Sequence, residues 1–112
     1  MSVMESATFD LVRAAITAGR VHVSDHAYDE SAADGLSART VIDGTPHGVA
    51  IEDYPNDARG PSCLVLLHIE SALAVHAVWA FDSSAGRAIL VTVYRPDPAR
   101  WSDDLTERRP RT

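Results

Sequence analysis

The side chains that could be assembled into a chemical site are His26, His76, Tyr54, Tyr94, Arg59, Arg95 and Trp101. An imidazole can carry a proton near neutral pH, a phenol can donate or orient one, and a guanidinium can stabilise developing phosphate charge. The most unusual stretch is "VTVYRPDPARW" (91–101), where a strand ends in a Tyr-Arg pair and runs at once into two prolines and a tryptophan. His76 lies in "HAVW" and His26 in "SDHA". Each of these residues also has a plain structural reading. A His and a Tyr on a sheet face are commonly hydrogen-bonded, half-buried residues, and a Trp returned by a Pro-Asp-Pro turn can cover a sheet with its indole.

Other chemistries find less support. His22 and His26 are four apart, but a strand-to-helix junction falls between them and no second pair with a nearby carboxylate supports a zinc site, so neither metal nor cofactor is expected. Cys63, the one cysteine, sits in the apolar run "CLVLL" and reads as a buried, inert thiol. No phosphate-binding glycine loop or nucleophile elbow is present. The segment "EDYPNDARGPS" has the composition of a surface turn, and it places Tyr54 and Arg59 where a substrate could be contacted.

The elements that must hold these residues follow from local pattern. "SVMESATFDLVRAAITAG" reads as a first helix, with Ser2 and Glu5 at capping-box spacing and Gly19 at its end. "RVHVS" is a short strand. A second helix starts at the Ser24 cap, where Val23 can staple onto Tyr28, and stops at Gly35. A third runs from Ser37 to Gly44. From residue 48 the period becomes alternating, with strands expected at 48–54, 62–69, 72–81 and 87–95. The sum is an α+β domain over residues 1–101, with N-terminal helices packed on one face of a four- to five-stranded, mainly antiparallel sheet, and a flexible arginine-containing tail over 102–112.

If "DSSAG" joins Phe81 to Arg87, position 76 faces position 92. His76, Thr92 and Tyr94 then share one face, and Leu73, Val75, Ala77, Trp79, Ile89, Val91 and Val93 point to the helices. His26, at the second position of its helix, is placed for a neutral imidazole that accepts a proton or helps to cap the helix.

Composition bounds the function. With 112 residues and 46% hydrophobic side chains the chain supports one core. The absence of an 18-residue apolar run or a charged-then-apolar leader implies a cytoplasmic protein without membrane contact. Sixteen acidic groups against ten basic ones, all arginine, give a net charge of -6, which argues against a general polyanion-binding surface. The arginines do collect at positions 100, 108, 109 and 111, where a tail could touch phosphates or simply be solvated.

At "SDHA" (24–27), "IEDYPND" (51–57), "HAVW" (76–79) and "VTVYRPDPARW" (91–101) the chain resembles the bacterial family of unknown function number 4258, over roughly residues 8–101. Members of that family look like small toxins of RelE or BrnT type, some encoded beside zinc-finger antitoxins. The resemblance implies a toxin-antitoxin context, with an antitoxin-like protein and RNA or the ribosome as partners, and a metal-independent ribonuclease activity. His26 or His76 would then carry protons, Tyr94 would orient or donate one, and Arg95 would stabilise charge, with Tyr54, Arg59 and Trp101 contacting substrate. Where the family commonly has arginines after the His-Ala pair, this chain reads "YDESAADG", and its acids would repel phosphate. The alternative is a non-catalytic protein-binding module that keeps the toxin-like fold, with the acidic helix pairing with a basic partner.

Overall fold

The computed structural model describes residues 4–58 and 60–110. Helix α1 (Ala7–Thr17) starts at Ser6, whose Oγ accepts the Phe9 N–H at 3.0 Å. The cap is therefore Ser6 rather than Ser2, which lies outside the described residues. The Ser6 hydroxyl also donates to Asp53 at 2.8 Å, so the cap doubles as a tie to the sheet. Gly19, at φ +75°, turns the chain into the short strand β1 (Val21–Val23).

Ser24 caps α2 (Asp25–Ala33) by accepting the Ala27 N–H, as its residue type suggested. The staple between Val23 and Tyr28 does not bury the ring: Tyr28 is 64% exposed. After α3 (Ala38–Gly44) and a single 3-10 turn, four strands follow: β2 (Val49–Tyr54), β3 (Ser62–Ile69), β4 (Leu73–Asp82) and β5 (Arg87–Tyr94). Their order is β1-β5-β4-β3-β2, antiparallel except where β1 runs parallel to β5. The architecture is α+β.

All three helices lie on one face. Phe9, Val12, Ala15, Ala27 and Val41 meet Val65, Leu67, Val75, Ala77, Trp79, Leu90 and Val93 in a continuous buried core. Trp79 is fully buried and donates its indole N–H to the Thr45 hydroxyl at 3.1 Å. Six consecutive residues of β3, Ser62 to Leu67, are buried, the mark of a strand covered on both faces.

The β4–β5 register differs from the expected one. Asp82 faces Arg87, and a β-bulge at Val91 shifts the ladder, so that His76 faces Tyr94 rather than Thr92. Below the bulge the faces of β5 are exchanged: Ala88 and Leu90 enter the helical core, where Ile89 and Val91 had been expected. Above it parity is restored, and His76, Val78, Thr92 and Tyr94 share the face opposite the helices. A pattern of alternation cannot reveal such a bulge, because one extra residue inverts everything after it.

Candidate functional site

The face opposite the helices is roofed by the end of the chain. Beyond Pro96–Asp97–Pro98, residues 100–109 fold into a small hairpin: Trp101 bridges Arg108, the Ser102 N–H reaches the Glu107 carbonyl at 2.7 Å, and the Arg109 N–H reaches that of Arg100 at 2.8 Å. Asp104 pins its turn by accepting from the Thr106 hydroxyl and then from Ser102, bonds that pull its carboxyl down to about 2. Composition assigns residues 102–112 to a flexible tail; as far as residue 110 the chain here is a strap, hydrogen-bonded to itself and to the sheet.

Beneath the strap Trp101 is buried with Ile51, Leu64 and Leu66, and Val78, Tyr94 and Leu105 pack around them. Its indole meets the edge of His76 at 4.4 Å between ring centroids. His76 has no exposed surface. Its Nε2 lies 2.8 Å from the Leu105 carbonyl and its Nδ1 lies 3.1 Å from the Tyr94 hydroxyl. A carbonyl can only accept, so the proton sits on Nε2, and Nδ1 accepts from Tyr94. Burial pushes the imidazole below its ordinary range and outweighs the opposing pull of the Leu105 carbonyl and the Glu52 charge. Burial likewise raises the Tyr94 phenol.

At the margin of this face the bulge in β2 leaves Glu52 and Tyr54 on the strap side, opposite Leu64 and Ser62 of β3. The Arg108 guanidinium lies 4.7 Å over the Trp101 ring and grips Glu52 with two bonds, of 2.8 and 3.0 Å. The Tyr54 hydroxyl donates to the same carboxylate. Burial alone would raise Glu52, but the bonds from Arg108 and Tyr54 prevail and hold it below its ordinary value. Burial and the Glu52 carboxylate together push Tyr54 up to about 12.

Of the residues singled out from sequence, His76, Tyr94, Trp101 and Tyr54 thus come together, in one network. Arg95 is exposed and makes no hydrogen bond or ion pair with the described residues. With Tyr94, Arg100, Trp101, Arg108 and Arg109 it lines an open cleft of about 910 Å³. Arg109 is held by Asp103 and the Pro98 carbonyl, and Arg100 lies 4.0 Å from Asp97, so the cleft's positive charge is largely answered from within. His26 stands apart on α2, paired with Glu30 at 3.3 Å. Arg59 lies outside the described residues.

Glu30 explains part of the acidic helix. Strand β1 pairs with β5 only at 88–90, and beyond it the Val93 N–H finds Glu30 at 3.0 Å, while the Ser24 hydroxyl donates to the Val91 carbonyl. One acid of this segment is therefore turned onto the β5 edge, while Asp25, Asp29 and Asp34 are exposed, as is Tyr28. Sequence reasoning missed Glu52 and the pairing role of Arg108. The available signal was the i, i+2 spacing of Glu52 and Tyr54, which puts both side chains on one face of a strand.

Among the described residues no group of three or more His, Cys, Asp or Glu could hold a metal ion, and no helix is long and apolar enough to cross a membrane. The Cys63 thiol is buried and pushed up to about 12 by burial and by the Asp53 charge, which suits an inert core residue. Residues 23–95 match a family described as a domain of unknown function (DUF4258). No curated protein and no solved structure matches the chain.

Proposed function

The chain belongs to the DUF4258 family, and we propose that within it this protein is a non-catalytic, protein-binding module that keeps a RelE- or BrnT-like toxin fold. The observation that carries this reading is the condition of His76. A proton carrier for RNA cleavage must reach a ribose hydroxyl or a leaving oxygen within hydrogen-bond distance. His76 is fully buried, has both ring nitrogens committed inside the protein, and is biased toward the neutral form. Its chemistry is that of a fastener between sheet and strap. His26, the other candidate, shares no hydrogen bond or ion pair with the Tyr94–Arg95 cleft and is engaged with Glu30.

A second reading, RNA cleavage in a toxin-antitoxin setting, draws on Arg95. A guanidinium with no partner among the described residues, beside a phenol in an arginine-lined cleft, is suited to a phosphate. On that reading Arg95 stabilises charge, Tyr94 donates the proton, and His76 is a positioning residue that orients the phenol.

One experiment separates the two. The purified protein is incubated with RNA and with translating ribosomes, and its expression is scored for growth arrest, for wild type, His26→Ala, Tyr94→Phe and Arg95→Ala. The binding module leaves RNA intact and growth unaffected in every case. Cleavage by wild type that disappears in Arg95→Ala and Tyr94→Phe would establish the second reading.

A further inference from the structure

The strap has the organisation of a bound ligand. It hangs from β5 by the short Pro96–Asp97–Pro98 link, and its hairpin is closed by its own backbone bonds and by Asp104. Three contacts seat it: the Trp101 indole on Leu64, Leu66 and His76, the Leu105 carbonyl on His76 Nε2, and the Arg108 fork on Glu52. An aromatic anchor, one directed hydrogen bond and one bidentate ion pair are the means by which proteins recognise peptide segments. The receiving face matches them, with an apolar centre of Ile51, Leu64 and Leu66 beside the buried His76 and a polar margin of Tyr94, Glu52 and Tyr54.

Two further observations set the strap apart from the domain it covers. Leu105 adopts φ +65°, a left-handed conformation that costs a branched, non-glycine residue about 1 kcal/mol, in order to present its carbonyl to His76. The match to the family ends at residue 95, where the strap begins, so the receiving face lies on matched strands and its cover lies beyond them.

We propose that the β2–β5 face under the strap is a peptide-docking surface, that residues 96–110 occupy it in cis, and that a partner protein engages it by presenting a tryptophan and an arginine in place of Trp101 and Arg108. This rests on the reading of the domain as a binding module. The chemistry of the face selects the occupant: Glu52, already hydrogen-bonded by Tyr54, requires a cation, and the floor around His76 requires a flat apolar ring. A short tether gives the strap a millimolar effective concentration, so an incoming segment competes with a built-in occupant. The strap thereby sets the threshold for binding.

The probe is a fluorescein-labelled synthetic peptide of residues 95–110, titrated against full-length chains by fluorescence anisotropy. A chain carrying Trp101→Ala and Arg108→Ala has lost its own anchors and binds the peptide at least about tenfold more tightly than wild type. Arg108→Ala alone gives a smaller gain, roughly fivefold. A Glu52→Arg chain does not bind the wild-type peptide and regains binding to the peptide carrying Arg108→Glu, a swap that a folding defect would not produce. If the double variant keeps its wild-type circular dichroism and binds no better than wild type, or if the charge swap restores nothing, the docking surface is refuted. RNA cleavage by the wild-type chain would instead overturn the binding-module reading, and the anisotropy result would still stand or fall by itself.

Discussion

The two faces of the sheet are buried by different physics. On the helical face fifteen buried apolar residues form one cluster, and its main polar contacts, Trp79 with Thr45 and Ser24 with Val91, finish a structure that burial already determines. On the strap face Ile51, Leu64, Leu66 and Trp101 are the buried apolar cluster among the described residues, and position is dictated by His76, Glu52 and Arg108. Non-directional burial tolerates sliding, whereas hydrogen bonds and a bidentate ion pair fix one register for a short segment. The helical face therefore supplies stability, and the strap face supplies specificity at a low cost of opening.

The sharpest test of that contrast compares the two tryptophans. Trp79→Ala leaves a cavity between sheet and helices that rigid elements cannot close, and its expected cost is about 3–5 kcal/mol by urea denaturation. Trp101→Ala removes a side chain of the same size from beneath a strap that can lift, and it should cost about 2 kcal/mol, the transfer contribution alone. Equal losses would mean that the strap is as integral to the core as the helices are.

Replacing the hub of the strap face gives the next effect. His76→Phe preserves a flat ring against Trp101 but leaves the Leu105 carbonyl and the Tyr94 hydroxyl without their partner. The expected loss is roughly 2 kcal/mol, because buried polar groups are left unsatisfied. In heteronuclear NMR of the wild type, His76 should appear as the neutral Nε2–H tautomer; the Nδ1–H tautomer would contradict the assigned bonds.

Acid should separate the faces without mutation. The buried His76 ring has a pKa below the 6.5 of a free histidine. The unfolded chain takes up a proton near that pH and the folded chain does not, so this contribution is complete above 6.5 and declines as pH falls toward the folded value. Glu52, also lowered, adds its share above 4.5 and loses it below. Both groups sit under the strap, and the amide protection factors of residues 100–109, corrected for the slower intrinsic exchange in acid, should fall below pH 6.5 before those of α1 or β3 respond. In His76→Phe the first part of that pH dependence should vanish.

How much of this was legible beforehand depends on the range of the interaction. The Ser24 cap, the turns at Gly19 and Gly35 and the four long strands are set by residues within a few positions of each other, and the pattern gives them directly. The juxtaposition of His76 and Tyr94 was also legible, because both candidate registers keep their parity. The bulge at Val91 was not, since it leaves no compositional mark. Nor was the Glu52–Arg108 pair, which joins residues 56 positions apart through a segment whose arginines and acids read as solvated tail. Glu30 was visible as an acid, and its partner, the backbone N–H of Val93, has no side-chain signature at all.

The smallest predicted effect tests the weakest component of the contrast, the contribution of Arg108. Its side chain is 61% exposed while that of Glu52 is 21% exposed, so solvent screens the pair and the guanidinium regains water when released. Exposed pairs contribute about 0.2–1 kcal/mol, and stacking on an indole at a wet site adds about 0.5–1 kcal/mol. Arg108→Ala should therefore cost about 1 kcal/mol. A double-mutant cycle with Glu52→Ala isolates the ion pair, and the coupling should shrink as salt is raised to several hundred millimolar. A coupling above about 2 kcal/mol, insensitive to salt, would mean that the pair is desolvated and that the strap is locked rather than latched. In that case the strap would resist displacement by any segment offered from outside.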